Sequence, residues 1–146
     1  MSVPAFRTER TVRFADCDPA GIVYFPRCFD LINGVVEDWW AAMGFPWRVT
    51  IAERRIGLPT VAMTAHFTAP SFLGDRLACR LAVARLGRSS LELHHAVCGV
   101  DGPRFRIVQS VVCTALATHG SQPWPPDLRA AMAPYRETCD AHDPAA

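Results

Sequence analysis

Between Pro26 and Met43 the chain carries a helical pattern that is apolar on two adjacent faces, and this limits the folds open to it. Phe29, Ile32, Val36, Trp40 and Met43 recur at spacings of three and four, as one face of a helix requires. Cys28, Leu31, Val35, Trp39 and Ala42 form a second stripe beside the first. A helix apolar over most of its circumference has to be wrapped by other structure. Pro26 suits the first turn, where its missing N–H leaves no bond unmade, and Gly44 supplies the left-handed stop.

The chain beyond the helix is suited to wrapping it. After an irregular stretch, Phe45 to Leu58, the periodicity changes to two. The predicted inward sets are Val61, Met63, Ala65 and Phe67, then Leu77, Cys79, Leu81 and Val83. Next come Leu91, Leu93, His95 and Val97, and last Phe105, Ile107, Gln109, Val111 and Cys113. The turns Gly87-Arg88-Ser89 and Asp101-Gly102-Pro103 are too short for crossover helices, so the strands pair antiparallel. A further short strand is expected from Arg7 to Phe14. The predicted class is α+β, a curved antiparallel sheet of about five strands curled around one long helix.

A length of 146 residues suits a single domain, 1–146, with a core of about 6–119. Residues 120–146 read as a C-terminal extension, rich in proline near 123–126, with a short helix from Leu128 to Tyr135 and fraying beyond Cys139. A net charge of +1 offers no global field for nucleic acid or an anionic membrane, and no apolar run is long enough to span a bilayer. The six cysteines show no C-x-x-C spacing, and Met1 to Arg10 lacks the apolar segment of a signal peptide. Reduced thiols in the cytoplasm are therefore expected.

Chemistry is concentrated in Asp16-Cys17-Asp18-Pro19-Ala20-Gly21-Ile22-Val23-Tyr24. Pro19 biases Asp18 toward extended backbone, and Gly21 allows a close approach of ligand or chain. Just downstream, the first N–H groups of the helix lack intrahelical partners and sit at the positive end of its dipole. A carboxylate beside such donors is a minimal constellation for acyl transfer. On spacing alone the commoner role of these aspartates, forming a turn or capping the helix, outweighs that chemistry. Cys17 has no neighbouring histidine in sequence to activate it. His94 and His95 point to opposite faces of a strand and cannot share a metal, so no metal site is expected. His66 reads as a half-buried strand residue, and Trp39, Trp40 and Trp47 as core or interface.

The run D-C-D-P-A-G-I-V-Y-F-P before a helix carrying W-W resembles the 4-hydroxybenzoyl-CoA thioesterase family. The similarity continues through G-F-P-W-R and E-R-R-I-G-L-P and covers roughly residues 7–118. The resemblance implies the hotdog fold and hydrolysis of an aromatic acyl-CoA, in the setting of aromatic degradation. It implies no cofactor, coenzyme A being part of the substrate. It places the catalytic carboxylate, nucleophile or general base, on Asp18, and the carbonyl-polarising amide on Phe25. Gly21, Tyr24, Asn33 and Pro59 fall on substrate-binding positions, and Arg85, Arg88, Ser89 and Ser90 on the coenzyme A contact. It also implies a homo-oligomer, a dimer at least and a tetramer as the larger form, with the site between paired protomers.

Two departures bear on the acyl group. Short-chain thioesterases of the Tol-Pal-associated type carry a histidine where this chain reads F-P-R-C-F, which favours the aromatic branch. Hydroxybenzoyl-specific relatives carry an acidic residue where Asn33 stands, so benzoyl, aminobenzoyl and other hydroxybenzoyl groups stay open. A short-chain or carrier-protein thioesterase, and a hotdog protein that binds acyl-CoA without cleaving it, are the alternatives.

Overall fold

The structure, a computed structural model, describes residues 5–137. In chain order it contains β1 (Phe6–Thr11), α1 (Phe25–Ala42), a π-helical turn (Arg48–Glu53), β2 (Ile56–Gly57), β3 (Thr60–Phe67), β4 (Arg76–Leu86), β5 (Ser90–Gly99), β6 (Gly102–Val112), β7 (Thr114–Ala115) and α2 (Pro126–Met132). Five strands form one antiparallel sheet in the order β1-β4-β5-β6-β3, and β2 pairs with β7 in a small second sheet. The class is α+β, as expected. Among the described residues no helix is long and apolar enough to cross a membrane.

Alternation in β4, β5 and β6 translates directly into burial. Leu77, Cys79, Leu81, Val83, Leu91, Leu93, Val97, Phe105, Ile107, Val111 and Cys113 form one core with Cys28, Ile32, Val35, Val36, Trp39 and Trp40 of α1. Trp124, Leu128 and Met132 of the C-terminal segment join that same core. The tail is fastened by stacking of Trp124 on Trp40, with ring centroids 6.2 Å apart, and by an edge contact of Tyr135 on Trp39 at 5.6 Å.

Several expectations need correction. The first strand stops at Thr11, because residues 14–16 turn into a single 3₁₀ turn. The stretch 45–58 is ordered by the π turn and by β2. The short C-terminal helix starts at Pro126 and tightens to a 3₁₀ turn at Ala133–Tyr135. The fraying expected beyond Cys139 lies outside the described residues. Within one protomer α1 is covered on one side only: Arg27, Asp30, Asn33, Glu37 and Asp38 are exposed, Ala42 too, and Phe29, Leu31 and Met43 are half-buried.

The largest correction concerns β3. Val61 is 62% exposed and Phe67 50%, and Met63 is exposed as well; only Ala65 is partly covered. Their alternation is that of a core strand, yet β3 is the last strand of the sheet and the described residues leave these side chains largely uncovered. His66, expected to be half-buried, is exposed on the outer face opposite Arg106.

One polar pair lies inside the core. His95, 2% exposed, meets Gln109, 5% exposed, at 2.9 Å through Nε2 and Oε1. Burial pushes the imidazole pKa down to about 4, so the folded protein holds it neutral. The unfolded chain, with an ordinary value near 6.5, takes up a proton that the native state refuses. The stability from this group is therefore complete above about pH 6.5 and is lost as pH falls toward about 4. Denaturant unfolding at pH 5 should show about 2 kcal/mol less stability than at pH 7. The double variant His95→Leu with Gln109→Leu should lack that dependence; an equal slope in both proteins would remove His95 as its source. Asp75, Asp101 and Asp127 do not confuse this window, since hydrogen bonds hold their carboxyls below the ordinary range and they titrate at lower pH.

Candidate active site

The loop between β1 and α1 is folded back on itself by main-chain bonds. Asp18 N–H donates to Ile22 C=O at 2.9 Å, Gly21 N–H to Asp18 C=O at 3.0 Å, and Tyr24 N–H to Asp16 C=O at 2.9 Å. Gly21 has φ of +79°, so its glycine is required by the left-handed turn that brings residues 22–24 back beside 16–18. No other atom lies within 4 Å of where a Cβ would stand at Gly21. Its conformation, rather than crowding, dictates the residue.

A second segment, residues 70–75, fastens this loop to the sheet. Val23 N–H donates to Ser71 C=O at 2.9 Å, and Leu73 N–H to Gly21 C=O at 3.2 Å. Buried Arg104 pins that segment, donating to Asp75 Oδ2 at 2.7 Å and to Pro70 C=O at 2.9 Å while also holding Asp101 at 2.7 Å. Arginine's planar fork suits three such acceptors.

The structure separates the roles of the two aspartates. Asp16 Oδ2 accepts the Arg13 N–H at 2.9 Å and closes the 3₁₀ turn. Asp18 Oδ1 accepts the Ala20 N–H at 2.8 Å, an Asx-type turn that orients the carboxylate. Its Oδ2 has no hydrogen-bond or ion-pair partner among the described residues. Asp18 is half-buried and lines an open cleft of about 330 Å³ with Ala15, Cys17, Pro19, Tyr24 and Arg27. Arg27, on the first turn of α1, is a cation at this cleft that sequence reasoning passed over; its place nine residues after Asp18 carries no signal by itself. Burial, with the Asp16 and Asp18 charges next, pushes the Cys17 thiol above its ordinary value, which disfavours a thiolate there.

Among the described residues the tip of α1 keeps one open donor. Tyr24 caps the helix without a side-chain hydrogen bond, Pro26 has no N–H, and Arg27 N–H returns to Tyr24 C=O at 2.8 Å. Phe25 N–H, first in the helix, has no intrahelical acceptor by position. Phe25 also borders a second, mainly apolar cleft of about 300 Å³, lined by Ile22, Cys28, Phe67, Ser71 and Phe105 among others. Its centroid is 6.5 Å from that of Phe67 and 5.7 Å from that of Tyr24. A carboxylate cleft and an aromatic cleft thus flank the helix tip. Tyr24, Phe25, Phe67, Phe72 and Leu73 are all half or more exposed, an apolar surface of the kind that marks a ligand groove or an interface.

The remaining residues singled out by sequence lie elsewhere in the protomer. Asn33 is exposed on α1. Pro59 precedes β3 and accepts Val112 N–H through its carbonyl at 3.1 Å. Arg85, Arg88 and Ser90 are exposed and Ser89 is half-buried at the β4–β5 turn, where Trp124 N–H and the Arg129 guanidinium bind the Arg88 and Gly87 carbonyls. The Asp18 loop sits at the other end of β4, since Val12 N–H donates to Asp75 C=O just before it. Most of the 11 residues of β4 separate the two, roughly 30 Å. Within one protomer the two groups are therefore apart, and the expected site lies between paired protomers rather than inside one.

Comparison with known proteins places this geometry in a family. Residues 12–132 match the family model described as the thioesterase-like superfamily. The chain is 31% identical over 123 residues to a 1,4-dihydroxy-2-naphthoyl-CoA hydrolase of Thermosynechococcus vestitus, covering 84% of each protein. It is 33% identical over 91 residues to a 4-hydroxybenzoyl-CoA thioesterase of Pseudomonas sp., covering 61% of this chain and 64% of that one. The crystal structure of a 1,4-dihydroxy-2-naphthoyl-CoA thioesterase from Synechocystis superposes with a TM-score of 0.82 at 26% identity, covering 89% of this chain and 96% of the other. With its helix cradled by a five-stranded antiparallel sheet, an aspartate loop at the helix tip and a match over most of its length, the chain belongs to the thioesterase-like superfamily and is a thioester hydrolase with the hotdog fold.

Proposed function

We propose that the protein hydrolyses an aromatic acyl-CoA thioester to the free acid and coenzyme A. The observation that carries this reading is the Asp18 oxygen left open, among the described residues, in a loop folded against a helix tip that offers Phe25 N–H as a donor. A thioester carbonyl docked there accepts from Phe25 N–H as negative charge develops on its oxygen. Asp18 acts by one of two balanced routes. As nucleophile, its oxygen bonds to the carbonyl carbon, the C–S bond breaks, coenzyme A leaves as thiolate and is protonated by water, and a second water cleaves the anhydride. As general base, it takes the proton of a water whose oxygen forms the new bond directly. Tyr24 and Gly21 border the reacting group. An aromatic acyl group is supported by the ring-lined cleft beside Phe25 and by the aromatic substrates in the names of the relatives.

The active form in this reading is a dimer joined through β3, with a tetramer as the larger assembly. The support is that among the described residues β3 ends the sheet with an unpaired edge and exposed Val61, Met63 and Phe67. Antiparallel pairing of two copies of β3 turns one sheet end to end against the other. The Arg88 turn of one copy then approaches the Asp18 end of the other, and Arg85, Ser89 and Ser90 belong to the coenzyme A contact across the dimer. Asn33 is accessible to the acyl group or to the second copy. The free thiols of Cys17, Cys28, Cys79, Cys98 and Cys113 are compatible with a cytoplasmic setting.

Thiol release from a panel of aryl- and alkyl-CoA esters tests the substrate class. Benzoyl- or hydroxybenzoyl-type esters should exceed butyryl-CoA in kcat/KM by at least about tenfold. The reverse order overturns the aromatic assignment, and tight binding of every ester without thiol release overturns hydrolysis itself.

A further inference from the structure

The buried polar pair in the core continues outward to the edge of the sheet. Gln109 Nε2 donates to Thr60 Oγ1 at 2.8 Å, so His95, Gln109 and Thr60 form one chain from the centre of β5 to the first residue of β3. Hydrocarbon side chains at positions 95 and 109 would fill the same layer as Leu93, Ile107 and Val111 around them. Burying polar groups there instead leaves His95 Nδ1 without a partner among the described residues, a cost that packing does not explain. The chain has a direction. Neutral His95 donates from Nε2 to Gln109 Oε1, which turns the amide nitrogen of Gln109 toward Thr60. Thr60 Oγ1 accepts that bond, and its own proton is left to donate away from the core. A β-bulge between Thr60 and Ala62 re-aims the strand at this point, and Thr60 is exposed beside Pro59.

We infer that Thr60 is a specificity residue, a hydroxyl donor held in place by Gln109 and His95 and directed at an oxygen substituent on the aromatic acyl group of the neighbouring protomer. The inference rests on the dimer and the aromatic substrate proposed above. Antiparallel pairing of β3 about its midpoint sets position 60 of one copy opposite position 67 of the other. Phe67 borders the cleft beneath the helix tip, its ring against that of Phe25. Thr60 of one copy therefore meets the far end of an acyl group whose carbonyl is held at Phe25 N–H of the other. The cleft is lined mainly by apolar side chains, with Thr68 and Ser71 its hydroxyl-bearing residues, so a further donor fixed at Thr60 favours a ring bearing a hydroxyl or phenolate oxygen over a bare one. Thr60, Gln109 and His95 position and select; none of them touches the reacting atoms.

The test compares benzoyl-CoA with the three hydroxybenzoyl-CoA isomers, using wild type, Thr60→Val, Thr60→Ser and Gln109→Leu, with sedimentation velocity on each. Wild type should prefer at least one hydroxylated ester over benzoyl-CoA. Thr60→Val, which keeps the shape and removes the hydroxyl, should cut that preference by roughly tenfold or more. Gln109→Leu should cut it in the same sense, and Thr60→Ser should retain it. A dimeric, active Thr60→Val enzyme with an unchanged preference, or with both esters slowed equally, overturns the role of Thr60 and leaves the proposed function standing. A monomeric or inactive wild type overturns the underlying reading, and this inference falls with it.

Discussion

Asp18→Asn is expected to lower turnover of the preferred acyl-CoA by about 10³-fold or more while leaving the affinity for the ester within a few fold. The side-chain amide keeps an oxygen for the Ala20 N–H, so the turn that orients position 18 survives and the loss reports charge and basicity. The effect is large because both chemical routes need the ionised oxygen: an amide neither attacks a thioester nor takes a proton from water. Asp16→Asn is the matched control. Its oxygen serves the Arg13 N–H and closes a turn, so an amide there should cost activity far less. Thiol-release kinetics with ester-binding isotherms on both variants decide the matter. Retained turnover in Asp18→Asn would take that residue out of the mechanism. A single turnover in heavy-oxygen water that leaves label in the Asp18 carboxylate identifies the covalent route, with water opening the anhydride at the aspartyl carbonyl.

Trp40→Ala should lose about 4 kcal/mol of stability, close to half of the roughly 10 kcal/mol of a domain of this size. Trp40 is 1% exposed, with Trp39 on one side at 5.9 Å and Trp124 on the other at 6.2 Å. Its removal leaves a cavity at the junction of α1, the sheet and the C-terminal segment, where three elements would each have to move to fill it. Trp47→Ala is expected to cost clearly less, since Trp47 is only half-buried. Urea titrations of the two variants measure the difference. A loss below about 1 kcal/mol in Trp40→Ala would mean that the Trp stack does not hold the tail to the helix.

Much of this architecture was legible in residue order because local rules acted alone. The period of two in β4, β5 and β6, with turns of only a few residues between them, left antiparallel neighbours as the one short-range solution, and each predicted inward residue of those strands is buried. The helix from about residue 26 to Gly44 came from its apolar spacing and its stop signal, and Gly44 does take the left-handed conformation, at φ of +93°. The candidate site was read from the motif around Asp18, yet spacing could not separate Asp18 from Asp16. Their difference depends on which backbone N–H each oxygen meets after the loop folds back. The His95–Gln109–Thr60 chain was invisible for a related reason. Thr60 and Gln109, 49 positions apart along the chain, are brought within hydrogen-bond distance only by strand order.

The chain's own order of residues determined which segments are helix and strand, which side of each strand is apolar, and where the proposed reactive carboxylate lies. Tertiary structure alone decided that β3 ends the sheet among the described residues, that Val61, Met63 and Phe67 stay exposed in the protomer, and that the Arg88 turn and the Asp18 loop occupy opposite ends. Alternation states that a face is apolar; what covers it is set by non-local pairing, which no local pattern encodes. β3 carries the pattern of a buried strand although the described residues of the protomer leave it largely exposed.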